Sequence, residues 1–370
     1  MDFTQRIDWI RTENPDMKFE NNELGRLKKK IWDMNEEQLD QILADYGIPA
    51  PSELGMAGSY IQTTPRGQLA ERRKKNDIVF IPIGSTECHG DALASGHDVF
   101  QITQFLEGVR RYTKKKGYEI NIAFPITYGG HPFHHLGMPG TIVMPHEVLM
   151  EQIIAVMLGL WNDGFRKIFL ISNHGHQWTI NSALQEFCKR YSLPGIFQFF
   201  DFPTVCRDFF RPYIDKENEW TETFAHAGES ETSLGQLMFP EMVDESRFID
   251  GNPKGMMFGG WFDNSIADYG RPHQWYEGEG HSAIEISATP EGVVGKQSIA
   301  DPRKAKRPIA AICLILTYMV EMVLKECPPG EVPPIEETTL RTAEEMAPYL
   351  KEPFTEGWRS VYAIPRIGAF

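Results

Sequence analysis

The sequence predicts a layered α/β domain with a mostly parallel sheet, preceded by an N-terminal helical extension. From residue 77 onward, short apolar runs rich in β-branched and aromatic residues alternate with amphipathic helical patterns. The 370-residue chain is long enough for one large domain with additions or for two smaller domains. Its composition, 41% hydrophobic and 24% charged residues, is that of an ordinary soluble globular protein.

Three segments of the chain are expected. Residues 1–75 form the extension, in which an amphipathic helical pattern over 22–45 ends at a stretch rich in Gly and Pro. Residues 76–326 form the main domain, and residues 327–370 form a polar tail. Within the main domain, 250–288 are rich in Gly, Trp, Tyr and His with little periodicity, which is typical of a lid or binding loop.

The alternation in the main domain places each element. β-branched and aromatic runs predict strands at 78–83, 119–126, 167–172 and 195–201. Helical periodicity predicts helices at 99–115, 146–161, 178–191 and 307–325.

Charge and cysteine content exclude several classes of protein. A formal net charge of −14 argues against a nucleic-acid surface and favours a small-molecule substrate. The N-terminus lacks a signal-peptide pattern, and the apolar stretch 308–324, interrupted by Glu321, predicts no membrane span. Five scattered cysteines predict reduced thiols and a cytoplasmic location.

The first strand of the main domain leads into the run Gly84-Ser-Thr-Glu87-Cys-His89-Gly90, with Asp98 nine residues after the histidine. Glu87 and His89 are two residues apart, so an extended backbone directs both side chains to one face. A mixture of carboxylates and imidazoles suits Zn or Mn better than Ca. The alternative is that Glu87 and His89 only cap the next helix.

Other candidate ligands follow later strands or begin helices. Nine of the eleven histidines fall between residues 89 and 226, mostly in Gly-flanked turns, which is not the distribution of scattered core histidines. The relevant runs are Asn173-His174-Gly175-His176 after a strand, a Gly/Pro loop with His131, His134 and His135, and His226-Ala-Gly-Glu229-Ser-Glu231 at a helix start.

These residues fit a site for two divalent metal ions that share a carboxylate. Asp98 is the expected bridge, Glu87 and His174 complete one site, and His89 with Glu229 or Glu231 completes the other. A water between two such ions becomes hydroxide near neutral pH. His226 is the first choice for proton transfer.

Several of these residues have alternative roles. Glu229 is second to His226 as the catalytic group, although both glutamates could instead complement the helix N-terminus. His176 is either a ligand or a residue that supports one, and His97 is expected to pack rather than ligate.

The motifs around Glu87, His89 and Asp98 resemble those of the creatininase (creatinine amidohydrolase) family. Four further stretches carry the same resemblance, namely 135–141, 173–175, 226–233 and the pair 292–295 with 300–302. The resemblance implies a three-layer α/β/α sandwich, two divalent metals and a closed homo-oligomer such as a hexamer. It also implies hydrolysis of a C–N bond in a small cyclic substrate, with Asp98 as the bridging ligand.

The chain departs from creatininase itself at one ligand position. In creatininase, a carboxylate lies two residues after the histidine that matches His174, where this chain has His176. The ligand role therefore passes to His176 or to the 229/231 pair, and Glu231 is preferred. Candidate substrate-binding residues are His135, Trp178 and Trp275, the last in the aromatic insertion, which could instead pack a subunit interface.

The change at His176 makes creatinine a less suitable substrate. The length of this chain matches that of the longer family members. These resemble 3-dehydro-scyllo-inosose hydrolases, which open a cyclic diketo-polyol in inositol catabolism by C–C hydrolysis. The metal motifs do not separate C–N from C–C cleavage. Two further hypotheses from other classes are a metal-dependent sugar isomerase or lyase and a non-enzymatic metal-binding protein.

Overall fold

The structure, a computed structural model, describes residues 8–15, 17–130, 137–210, 220–222, 226–251, 290–332 and 344. The N-terminal part contains the antiparallel strands β1 (Trp9–Arg11) and β2 (Lys18–Glu20), followed by helices α1 (Glu23–Trp32), α2 (Glu36–Tyr46) and α3 (Arg66–Arg73).

The main domain continues as β3 (Ile78–Ile83), α4 (His97–Lys116), β4 (Asn121–Ile122), α5 (His146–Asn162), β5 (Lys167–Ser172), α6 (Gln177–Tyr191), β6 (Ile196–Asp201) and α7 (Phe202–Val205). The last elements are α8 (Glu229–Met238), β7 (Asp250–Gly251), β8 (Gly295–Lys296) and α9 (Pro302–Glu326).

A four-stranded parallel sheet in the order β4-β3-β5-β6 forms the centre of the domain. All six residues of β3 and of β5 are buried, as expected for parallel strands covered on both faces. Side chains alternate between the two faces, so consecutive residues of β3 enter different cores. Ile78 and Phe80 pack in the core formed with α4 and α9, whereas Val79 and Ile81 pack in the core formed with α5 and α6. The predicted three-layer α/β/α sandwich is confirmed.

The pairing regions differ from the predicted strands mainly in β4. Residues 119–126 were expected to form one strand, but paired strand covers only Asn121–Ile122, with a single further bridge at Ile126. Pro125 lies between them and has no N–H to donate to a ladder. Helix α9 begins five residues earlier than expected, because Asp301 accepts from the Arg303 N–H as the N-cap and Pro302 occupies the first turn.

The N-terminal extension packs into the same core as the sheet. Its single predicted helical pattern is two helices, since Asn35 forms a capping box with Gln38 and begins α2. Trp32 and Tyr46 belong to the core that contains Phe80, and the Tyr46 hydroxyl hydrogen-bonds Thr317 of α9 at 2.7 Å. The segment boundary at residue 75 stays a prediction.

Helix α9 is the one helix in the described part of the chain that is long and apolar enough to cross a membrane by length and composition. In this structure it packs against α1, α2, α4 and α8. Ile309, Ile312 and Leu316 are fully buried in the core with the sheet. Its apolar character is therefore accounted for by packing within the chain.

A buried carboxyl in α4 joins the extension to the main domain. Glu107 Oε1 accepts from the Tyr60 hydroxyl at 2.6 Å and from the Glu53 N–H at 3.1 Å. Burial raises the pKa of Glu107 from its ordinary value of 4.5 to about 7. The protonated form is therefore favoured in the folded state.

Replacement of Glu107 by Gln should change how stability depends on pH. A carboxyl with a raised folded-state pKa contributes stability that is fully present below about pH 4.5 and is lost as pH rises through about 7. We expect wild type to lose on the order of 1–3 kcal/mol of unfolding free energy relative to Glu107→Gln between pH 5 and pH 8. Urea unfolding at both pH values measures this difference. The exposed Glu326→Gln is the control, and an equal pH dependence in both variants would contradict the assignment.

Candidate metal centre

Four segments deliver polar side chains to the carboxyl edge of the sheet. β3 and β5 end side by side, with Ile83 opposite Ser172, so the loops that follow them are adjacent. A β-carbon on Gly84 would lie 2.8 Å from the Val99 Cα, so glycine lets the first turn of α4 approach the end of β3. The edge of an open parallel sheet where the strands end is the usual ligand site of such folds.

Three overlapping groups of potential metal ligands form there, and two of them share Asp98. The first group consists of Glu87, Asp98 and His174, and the second group of His89, Asp98 and Glu231. The ligand atoms within each group lie within 4.8 Å of one another, and Asp98 belongs to both groups. Glu87 and His89 also belong to a further group, and the bridging role of Asp98 stays a prediction.

The spacing of the ligand atoms suits a metal ion. His174 Nδ1 lies 3.1 Å from Glu87 Oε1 and 3.3 Å from Asp98 Oδ2, and His89 Nε2 lies 3.4 Å from Glu231 Oε2 and 3.7 Å from Asp98 Oδ1. Two ligands bound to one tetrahedral zinc ion are about 3.3 Å apart, given bonds of about 2.0–2.1 Å. The observed separations are close to that value.

The negative charge of the cluster also favours binding of cations. Glu87, Asp98 and Glu231 are all almost completely buried. Buried carboxylates require compensation by cations or protons, because transfer of unpaired charge out of water is costly. The donor set of three carboxylates and imidazoles therefore fits divalent ions of the Zn or Mn type.

Neighbouring groups orient the ligands. His89 Nδ1 lies 3.1 Å from the Glu87 carbonyl oxygen, and because a carbonyl only accepts, Nδ1 carries the proton and Nε2 faces the second group. The Ala227 N–H donates to Glu231 Oε2 at 2.6 Å, and Ala227 adopts a left-handed backbone with φ of 53°. Asn173 donates to Gln101 at 3.1 Å and lies 3.5 Å from Asp98 Oδ1.

Without metal, protons supply part of the compensating charge. Burial alone would lower the pKa of His174, but the Glu87 and Asp98 carboxylates outweigh it and raise that pKa to about 10. Burial, together with the charge of Glu87, raises the pKa of Asp98 to about 6. A metal ion that binds His174 must displace its proton.

His226 lies at the border of the two groups. Its Nε2 is 2.5 Å from the Cys88 carbonyl oxygen, so Nε2 donates and Nδ1 is left as the basic nitrogen, 3.4 Å from Glu87 Oε1. It also forms a third potential ligand set with Glu87 and His89. This position is compatible with the predicted proton transfer and with a ligand role.

Glu229 makes its described contacts outside the two ligand groups. Its Oε2 accepts from the Thr221 N–H and hydroxyl and from the Glu222 N–H, at 2.8–2.9 Å. Its Oε1 pairs with the Lys304 ammonium of α9. Both oxygens hold the segment 220–222 and α9 onto the start of α8, and a catalytic role of Glu229 stays a prediction.

His176 supports the site instead of joining either ligand group. Its Nε2 hydrogen-bonds Ser172 Oγ at 2.9 Å, and its ring packs edge-on against His174 with centroids 4.6 Å apart. Ser172 Oγ also accepts from the His174 N–H at 3.2 Å. Of the two roles left open by the sequence, the geometry favours support of His174.

The predicted substrate-binding residues have mixed outcomes. Trp178 is 39% exposed at the start of α6 and packs against His146, with ring centroids 4.0 Å apart. His135 and Trp275 lie outside the described residues, as do His131, His134 and nearly all of the aromatic insertion. His97 is completely buried and packs, as expected.

Sequence reasoning missed three supporting residues. Asn173 stands inside a recognised motif and could have been found as the neighbour of His174. Gln101 lies one turn after Asp98 on α4, a spacing that places both on one helix face. Lys304 is about 75 residues from Glu229 in sequence, and no local pattern indicates their contact.

Comparison with known proteins agrees with this geometry. The family model for creatininase, described as creatinine amidohydrolase, matches residues 63–320. The 3-dehydro-scyllo-inosose hydrolase of Thermotoga maritima is 37% identical over 305 residues, covering 82% of this chain and 96% of that protein.

Solved creatininase structures share the fold. One, named creatininase Mn, has a TM-score of 0.52 and 18% identity over 73% of this chain and 99% of its own. A creatininase variant of Zn-Zn type has a TM-score of 0.55 and 17% identity over the same shares. The chain belongs to the creatininase family, and it is a hydrolase.

Replacement of Asp98 by Asn should remove both metal ions, because this carboxylate belongs to both groups. We expect fewer than about 0.5 ions per chain by elemental analysis after dialysis against trace metal, and two in wild type. Asp201→Asn is the matched control, since Asp201 ends the neighbouring strand β6 but lies in neither group. Full metal content in Asp98→Asn would show that Asp98 does not bridge the two ions.

Metal binding should release protons at pH 7. The pKa of His174 lies at about 10 in the metal-free protein, so this imidazole is protonated at pH 7 and must lose its proton to ligate. Calorimetric titration with Zn²⁺ in two buffers of different ionisation enthalpy measures the release, and about one proton or more per chain is expected. A heat of binding that does not depend on the buffer would contradict this.

Proposed function

We propose that this hydrolase uses two divalent metal ions to open the ring of 3-dehydro-scyllo-inosose or a closely related cyclic diketo-polyol by C–C hydrolysis. The observation that carries the proposal is the relative of that name, which is 37% identical and is covered over 96% of its length. The replacement of the creatininase carboxylate by His176 further separates this chain from creatininase itself.

The residues fit the two ions without a carboxylate at position 176. Glu231 supplies the carboxylate of the second group, and its position is fixed by the Ala227 N–H. When bound, the ions lower the pKa of a water molecule to near neutrality and polarise a carbonyl oxygen. The completely buried setting strengthens these electrostatic effects.

Residues around the two groups carry out proton transfer and substrate binding. His226 has its basic Nδ1 beside Glu87 and its Nε2–H fixed on the Cys88 carbonyl. We assign to it the transfer of the proton to the leaving group, which is carbon in ring-ketone cleavage and nitrogen in amide cleavage. Trp178 offers an exposed aromatic face at the start of α6, where a ring substrate can pack.

Cyclic amide hydrolysis is the second candidate, and it is favoured by the fold neighbours named creatininase. A homo-oligomer of closed symmetry, such as a hexamer, and a cytoplasmic location complete the proposal.

The test is turnover by the metal-loaded protein on two substrates, 3-dehydro-scyllo-inosose and creatinine. Opening of the inosose with kcat/KM at least 100-fold above that for creatinine supports C–C hydrolysis. The reverse preference supports cyclic amide hydrolysis. No turnover of either substrate by protein that holds two ions would overturn both assignments.

Replacement of His226 by Gln should slow turnover by about 10²–10⁴-fold while both metal ions remain. Glutamine can still donate to the Cys88 carbonyl but cannot take up and return a proton. Steady-state kinetics and elemental analysis of the same sample check the two parts. Loss of one ion per chain would instead identify His226 as a ligand. An unchanged kcat would show that another group transfers the proton.

A further inference from the structure

The residue before the bridging carboxylate has a contact pattern of its own. His97 is the first residue of α4 and is completely buried. Its ring packs against His89, with centroids 4.9 Å apart, and edge-on against Phe239, with centroids 5.1 Å apart. It therefore fills the space between a metal ligand and the end of α8.

His97 also lies against α8 at Gly235. A β-carbon on Gly235 would lie 2.9 Å from His97 Cε1, closer than real side chains approach, so the imidazole occupies the space that glycine leaves open. The ring thus lies between α8 and the ligand His89.

This placement bears on the second group more than on the first. His89 and Glu231 come from different segments, the loop after β3 and the helix α8, and their ligand atoms are 3.4 Å apart. The ligands of the first group come from the β3 loop, α4 and the β5 loop, none of which is α8. A change in the spacing between His89 and α8 would therefore disturb the second group more than the first.

We infer that His97 is a positioning residue for the second metal ion: its ring sets the distance between His89 and the helix that carries Glu231. The His97 ring acts through the volume that it fills, and that volume is available because Gly235 has no side chain. The inference rests on the proposed two-metal centre. It adds to that proposal the residue on which the affinity of the second group for its ion depends.

The first variant to measure is His97→Ala. Loss of an orienting neighbour lowers metal affinity by about 10–100-fold, and we expect that loss for one of two Zn²⁺ ions per chain while the other keeps its affinity. Calorimetric titration of the metal-free full-length protein with Zn²⁺ gives both affinities. Titration with Co²⁺, followed by visible absorption, reports the geometry of each site.

Three further variants distinguish a role of the ring's shape from general destabilisation of the protein. Gly235→Ala should also lower the affinity for the second ion, because the new methyl group collides with His97 Cε1. In the double variant, the added methyl enters the space that His97→Ala has emptied, so the two losses should not add. His97→Phe keeps a flat aromatic ring, slightly larger than the imidazole, in the same place and should keep the affinity for the second ion within about fivefold of wild type.

The outcomes are separable. Selective loss of one ion in His97→Ala, with partial recovery in the double variant, supports the inference. Equal weakening of both ions, retention of both, or strictly additive losses would overturn it. Wild-type protein that binds fewer than two ions would overturn the two-metal proposal itself, whatever the variants do.

Discussion

Asp98 is the residue on which the rest of the site depends. Its carboxylate belongs to both ligand groups, so the two can form only if the first turn of α4 lies against the end of β3. Gly84 permits that approach, since any β-carbon there would collide with the backbone of Val99. The centre is thus built on a close contact between a strand end and a helix start, both of them rigid elements.

The charge of the cluster explains why so much polar structure surrounds it. Three carboxylates are held out of water within a few ångströms of one another, and protons on His174 and neighbouring groups balance them only in part. Two of the candidate ligands are fixed by a second contact, His89 by the Glu87 carbonyl and Glu231 by the Ala227 N–H. Fixed ligands lose little freedom when a cation binds, which favours tight binding.

The same scaffold serves chains that differ at the site. Solved creatininases share the fold at 17–18% identity. The resemblance in sequence implies that creatininase has a carboxylate at the position where this chain has His176. In this structure His176 bonds to Ser172 and packs on His174, and Glu231 from α8 faces His89 instead. In the proposed two-metal centre, Glu231 supplies this carboxylate from another element, without a change of fold.

The sequence by itself determined the sheet, most helices and the ligand candidates. Strand and helix periodicity are local, and Glu87, His89, Asp98 and His174 stand in short runs next to strand ends. Only the tertiary structure decided between Glu229 and Glu231. These two residues lie on one helix turn, and the distant Lys304 holds the first while the second faces His89. Contacts between residues far apart in the chain depend on how whole elements pack, and no local pattern records them.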